Sequence, residues 1–182
     1  MQSLTAIIMA AGFGSRLGEH ARGLPKAIVN LGGRPLIWYA INLAKKIGAN
    51  RIVVVSGFQH EKVASAVKGI DPAIEVFENT QFEKGNLYSL EEALAHSNES
   101  FLLMHVDHVF STSLAEVIRQ QLDERIVVFT DSDRTLGDDD MKVKTDDSGR
   151  VLVNASKQLA DCRLGYVGLT YCYASFLDVY RE

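Results

Sequence analysis

Short, nearly continuous apolar runs alternate along this chain with stretches whose apolar residues recur every three or four positions. Residues 4–9, 51–56, 74–77, 101–104 and 126–129 are runs of the first kind, and each predicts a strand covered on both faces. Between the first two, residues 35–47 set Leu36, Ile37, Ala40, Leu43, Ala44 and Ile47 on one stripe, which predicts an amphipathic helix. Residues 61–68 predict a shorter one. Ser89-Leu90-Glu91-Glu92 and Ser113-Leu114-Ala115-Glu116 carry capping-box spacing, which predicts helices from Ser89 to about His96 and from Ser113 to about Leu122.

After residue 130 the texture changes. Residues 131–140 are polar and acidic, and Asp146-Asp147-Ser148-Gly149 separates 142–144 from 151–153 as the turn of a predicted hairpin. Residues 167–172 read as a late strand and 175–180 as the opening of a last helix. Helices inserted between apolar strands predict one three-layer α/β/α domain over residues 1–182, with a mostly parallel, Rossmann-like sheet. A small β-rich flap is expected at about 131–166. In such sheets ligands bind beyond the carboxyl ends of the strands. Gly12, Ser56, Asn79 and Asp107 all lie just past predicted strand ends and are expected to share one crevice.

Composition narrows the function. The chain has 182 residues, 47% of them hydrophobic and 23% charged, which suits a globular domain with a real core. A net charge of -4 gives no reason to expect a nucleic-acid partner, so any charge that binds phosphate must be local. Cys162 and Cys172 lack the spacing and the neighbouring histidines of a zinc site, and they fit a reducing, cytoplasmic setting. No apolar run approaches the length of a membrane span, and the N-terminus carries no signal-peptide pattern.

The first strand ends in Ala10-Ala11-Gly12-Phe13-Gly14-Ser15-Arg16-Leu17-Gly18, and Pro25-Lys26 follows. Glycines let backbone N–H groups crowd around an anion, and Arg16 and Lys26 neutralise what those amides hold. The glycine spacing misses the dinucleotide fingerprint by one residue, and the loop lacks the Gly-Lys-Ser/Thr ending of a P-loop. Glycines alone would serve an ordinary strand-to-helix turn, but a turn needs no paired cations. Asp107, just after a buried strand, can hold Mg²⁺ or cap the loop that follows. His105 and His108 beside it read as packing or hydrogen-bonding residues.

Ala10-Ala11-Gly12-x-Gly14-Ser15-Arg16-Leu17, then Leu24-Pro25-Lys26-Ala27, then Gly32-Gly33-Arg34-Pro35-Leu36-Ile37, resembles the signature of the nucleotidyltransferases that activate sugar phosphates, with their GT-A-like sheet. Lys84-Gly85-Asn86-x-Tyr88-Ser89-Leu90 and Asp107-His108-Val109-Phe110-Ser111 resemble, more narrowly, the cytidylyltransferases that make CDP-inositol from inositol 1-phosphate. The resemblance implies that Ala10, Ala11, Gly12, Gly14 and Ser15 wrap a triphosphate and that Arg16 and Lys26 stabilise charge at its α-phosphate. Asn79, Gly85 and Asn86 would touch base and ribose, Asp107 would hold Mg²⁺, and Lys142, Lys157 and Gly168 would bind the acceptor. Implied partners are a nucleoside triphosphate, a phosphomonoester, a second copy of the chain, and a membrane phosphatidyltransferase to which such domains are often fused.

Two departures qualify this pattern. Tyr166-Val167-Gly168 stands where inositol-type members carry Asp-Thr-Gly, and residues 165–169 are similar to phosphocholine-type enzymes as well. The family also places a second metal-binding aspartate on a later strand, which implies a chain cut short at Glu182. Phosphocholine or a sugar 1-phosphate therefore remains an alternative acceptor. A glycosyltransferase reading would want an Asp-x-Asp motif where Val106-Asp107-His108 stands, and a nucleotide-binding module without turnover is the alternative from outside enzymes.

Overall fold

In chain order the strands are β1 Leu4–Ala10, β2 Asn30–Leu31, β3 Arg34–Pro35, β4 Arg51–Ser56, β5 Glu75–Glu78, β6 Ser100–His105, β7 Ile126–Asp131, β8 Lys142–Thr145, β9 Leu152–Ser156 and β10 Leu164–Cys172. The helices are α1 Leu36–Ile47, α2 His60–Ile70, α3 Asn86–Leu94 and α4 Leu114–Arg119, with 3-10 turns at Lys26–Ile28, Phe82–Lys84 and Ala174–Tyr180. These elements come from a computed structural model that describes residues 3–13, 23–95 and 98–180.

β1 is buried along its whole length because its alternate residues enter two different cores. Leu4, Ala6, Ile8 and Ala10 pack with the apolar faces of α1, α2 and α4, including Ile37, Ile41, Val63, Val67 and Ile118. Ile7 and Met9 face the other way, against Leu90, Ala93 and Leu94 of α3 and Leu177 of the last 3-10 turn. The three-layer α/β/α reading of the sequence therefore holds, and the near-continuous apolar run of β1 reflects cover on both sides.

The body of the sheet is parallel: β5 pairs with β4, β4 with β1, and β1 with β6. Register aligns the carboxyl ends, with Ala10 opposite Ser56, Ser56 opposite Glu78, and Met9 opposite His105. Beyond β6 the sheet turns antiparallel. β10 pairs with β6 through Leu169–Cys172 residues, with β7 along its other side, and with β8 at Leu164 and Gly165. The predicted hairpin forms as β8 and β9, with Lys142 opposite Ser156. β9 ends the sheet, and Val151, Leu152 and Val153 are exposed there.

Four local expectations shift. α3 begins at Asn86, three residues before the expected cap, so Ser89 lies inside the helix at 2% exposure. α4 is only six residues long, and Ser113 makes no side-chain cap bond to it. The third predicted strand moves one residue on, to Glu75–Glu78, and Ala174–Tyr180 is 3-10 rather than α-helical. Among the described residues no helix is long and apolar enough to cross a membrane.

Phe101 of β6 is fully buried in the core beneath α3. Phe101→Ala is expected to lower stability by about 3–5 kcal/mol, through lost transfer energy and the cavity left behind, as measured by urea unfolding.

Candidate functional site

The parallel strands deliver their carboxyl ends to one edge, and the candidate site is built there. β6 runs on into a turn at Val106 and Asp107, and the Val106 N–H donates to the Met9 carbonyl at 3.2 Å, which ties that turn to β1. The Lys26–Ile28 3-10 turn, anchored by buried Ala27, brings Lys26 to the same place. Lys26 Nζ donates to Asp107 Oδ2 at 2.6 Å across 81 residues of chain. His108 Nδ1 lies 3.0 Å from Asp107 Oδ1, and since a carboxylate can only accept, the imidazole donates.

Both oxygens of Asp107 are therefore engaged. The His108 bond, then the Lys26 bond and charge, hold this carboxyl well below the usual carboxylate range, against the opposing effect of burial. His105, one turn back, is pushed below its ordinary pKa by burial and presents its ring edge-on to Tyr166 at 6.0 Å between centroids. Tyr166 Oη is 2.9 Å from Thr170 Oγ1.

At the end of β1, Ala10 and Ala11 are buried, the Ala11 carbonyl accepts from the Phe58 N–H at 3.1 Å, and a Cβ on Gly12 would meet no atom of the described residues within 4 Å. Gly14, Ser15 and Arg16, all expected at the triphosphate, lie outside the described residues. Next to Gly12, Phe13 packs its ring 4.7 Å from Phe58 and 5.1 Å from Phe82. A Cβ on Gly57 would come within 2.5 Å of the Phe82 ring, so the shelf of three aromatics depends on that glycine. Sequence reading missed this shelf, because its members are far apart in the chain and show no common period.

Ser56 and Asn79 also sit at this edge, but inside the protein. Ser56 is fully buried, with Oγ 2.6 Å from His60 Nδ1. Asn79 donates to Ser89 Oγ at 2.8 Å and accepts from the Gln81 N–H at 2.8 Å. Its side chain thus braces the segment that presents Gly85 and the start of α3 at Asn86, which explains why Ser89 belongs to a helix interior. Gly85 is exposed, with φ 128.

The flap holds the remaining expected residues. Lys142 Nζ donates to the Lys157 carbonyl at 2.8 Å, and Lys157 Nζ reaches Asp139 Oδ1 at 3.4 Å. Lys142 also lines a polar cavity of about 460 Å³ with Arg134, Asp138, Asp161, Cys162 and Arg163. β10 joins this flap to the ion pair: Gly165 pairs with Lys142, and three residues on Gly168 lies against His108.

Residues 6–162 match the MobA-like NTP transferase domain. The chain belongs to that family. UTP–glucose-1-phosphate uridylyltransferase of Haloferax volcanii is 27% identical over 123 residues, covering 67% of this chain and 51% of that protein. The bifunctional IPC transferase and DIPP synthase of Aquifex aeolicus is 32% identical over 113 residues, 62% of this chain and 26% of that one. Choline-phosphate cytidylyltransferase of Streptococcus pneumoniae is 28% identical over 192 residues, with 98% and 82% coverage. The inositol-1-phosphate CTP transferase from T. maritima superimposes with a TM-score of 0.84 at 22% identity, over 98% of this chain and 75% of its own, a likeness of fold. The chain spans about half or less of the first curated relatives it matches: 51%, 47% and 26%.

Among the described residues no three His, Cys, Asp or Glu side chains gather as a metal cage. A hard cation at Asp107 would have one carboxylate from these residues and would need water and phosphate oxygens for the rest, a donor set that suits Mg²⁺. The Lys26 ammonium already stands as a cation against Oδ2.

Because the Asp107 carboxyl is depressed in the folded state, its contribution to stability is complete above the ordinary carboxylate value of about 4 and fades as pH falls below it. In urea melts, the stability gap between wild type and Asp107→Asn is expected to be widest at neutral pH and to narrow by about pH 3.

Proposed function

We propose that the chain transfers a cytidylyl group from CTP to a phosphomonoester, inositol 1-phosphate in the first instance, releasing pyrophosphate. The observation that carries this reading is the Lys26–Asp107 pair at the carboxyl ends of β1 and β6, in a chain of an NTP transferase family. Relatives named as cytidylyltransferases and as an IPC transferase support the choice of CTP and of the acceptor.

In this reading an acceptor phosphate oxygen attacks the α-phosphorus in line. A new P–O bond forms as the bond to the β-phosphate oxygen breaks, and pyrophosphate leaves with the electron pair. The acceptor is largely ionised near neutral pH, so no general base is required. The obstacle is repulsion between anions. A unit charge pair at 4 Å and an effective dielectric of 20 is worth about 4 kcal/mol, so several cations must converge.

Lys26 lies where it can turn from Asp107 to the α-phosphate. Backbone amides of Ala10, Ala11 and Gly12 line the phosphates, and Gly14, Ser15 and Arg16 are carried over from the motif. Gly85 and Asn86 border base and ribose, and Asn79 keeps them in position. Lys142 and Lys157 address the acceptor from the flap, and Gly168 from β10. Asp107 would hold Mg²⁺, which when bound supplies positive charge to the α-phosphate and the leaving pyrophosphate. Catalysis is then alignment and charge stabilisation. Coupling to a membrane phosphatidyltransferase, pairing of two copies and a cytoplasmic setting belong to the same proposal.

One observation favours phosphocholine as a second acceptor: the choline-phosphate cytidylyltransferase of Streptococcus pneumoniae aligns over nearly the whole chain, and Tyr166-Val167-Gly168 departs from the inositol-type Asp-Thr-Gly. Pyrophosphate release, assayed with each nucleoside triphosphate against a panel of phosphomonoesters, decides. Release with CTP and inositol 1-phosphate is expected; release only with phosphocholine or a sugar phosphate reassigns the acceptor, and none with any pair refutes the reading. Lys26→Ala and Asp107→Ala are each expected to lower the productive rate by at least about a hundredfold while far-UV circular dichroism stays unchanged.

A further inference from the structure

We infer that His108 is a positioning residue: its Nδ1–H fixes one oxygen of Asp107, so that the other stays presented to a cation when Lys26 leaves for the phosphates. The inference rests on the reading above, which gives Asp107 a divalent ion and Lys26 a phosphate.

Asp107 has two anchors of different character. Lys26 is a long, flexible side chain from a remote segment, and it holds Oδ2 at 2.6 Å. A lysine that serves the α-phosphate cannot also stay fully committed to Asp107. His108 is a short aromatic side chain held from several directions, and it holds Oδ1 at 3.0 Å. Its backbone N–H donates to the His105 carbonyl at 3.3 Å, which closes the turn. Its ring lies nearly parallel to that of Phe110 and edge-on to that of His105.

The tightest constraint comes from β10. A Cβ on Gly168 would fall 2.6 Å from His108 Nδ1 and 2.9 Å from Cε1. The glycine takes φ +72, and the β10–β7 register shifts between Tyr166 and Thr170, so the strand bulges at this point. The bulge brings bare backbone against the imidazole. The ring therefore keeps its place when Lys26 departs, and it alone of the two anchors still orients the carboxylate. Groups that orient metal-binding residues in this way typically change metal affinity by 10–100-fold when removed.

The two properties of His108, a donor at the Nδ1 position and a ring filling the space beside Gly168, can be separated. His108→Asn keeps an N–H at the place of Nδ1 and gives up the ring. His108→Phe keeps the ring and gives up the donor. The probe is Mn²⁺ with α,β-methylene-CTP, with bound and free metal read from the electron paramagnetic resonance of free Mn²⁺. His108→Phe is expected to weaken Mn²⁺ binding about tenfold and His108→Asn to stay within about threefold of wild type. In turnover, His108→Phe should raise the Mg²⁺ concentration needed for half-maximal rate by a similar factor.

The opposite pattern, with His108→Phe unchanged and His108→Asn impaired, makes the residue mere packing and overturns the inference. Wild-type affinity in both variants overturns it too, and in either case the transferase reading survives. Failure of the wild-type protein itself to take up Mn²⁺ with the analogue overturns both. Thermal melts of the two variants keep loss of fold apart from loss of metal.

Discussion

A single carboxylate answering to two cationic or donor groups organises this end of the molecule. Asp107 lies past the end of a buried strand with its side chain only 30% exposed, and an isolated negative charge there would be costly. Lys26 and His108 relieve that cost from opposite sides. Because Lys26 comes from the segment after β1 and His108 from the segment after β6, the pairing also joins the exits of two neighbouring strands. β10, the strand that returns from the flap, reaches the same point at Gly168, so the Lys26 turn, the exit of β6 and the flap's return strand meet at one charged group.

Much of this was legible in the chain because buried parallel strands leave an unmistakable mark. The runs at β1, β4 and β6 have no polar face, since helices cover both sides, and strands of that kind must send their carboxyl ends to a common edge. Lys26 and Asp107, read separately from a loop motif and a strand end, meet at 2.6 Å. Arg16, read from the same motif, falls among residues the structure does not describe.

What stayed hidden depends on partners remote in sequence. Ser89 looks like a helix cap because its neighbours Leu90, Glu91 and Glu92 have the spacing of one, yet buried Asn79 takes its hydroxyl and the helix starts earlier. Local spacing records only local competition. His108 gives no sign that its ring has a seat, because the seat is Gly168, on a strand that reaches it only after the whole flap has been laid down. The Phe13, Phe58 and Phe82 shelf is invisible for the same reason: three lone aromatics acquire meaning only when Gly57 lets them touch.

The outer margin of β9 has a different significance. Leu152–Ser156 closes the sheet, and among the described residues no strand pairs with its outer side, where Val151, Leu152 and Val153 give an apolar lining beside Arg150. Such a margin invites any extended peptide to add itself by main-chain bonding, and only the shortness of the strand and its flanking charge discourage that. Charged side chains introduced at exposed Val151 or Val153 would discourage such addition, on the same hairpin whose inner strand carries Lys142.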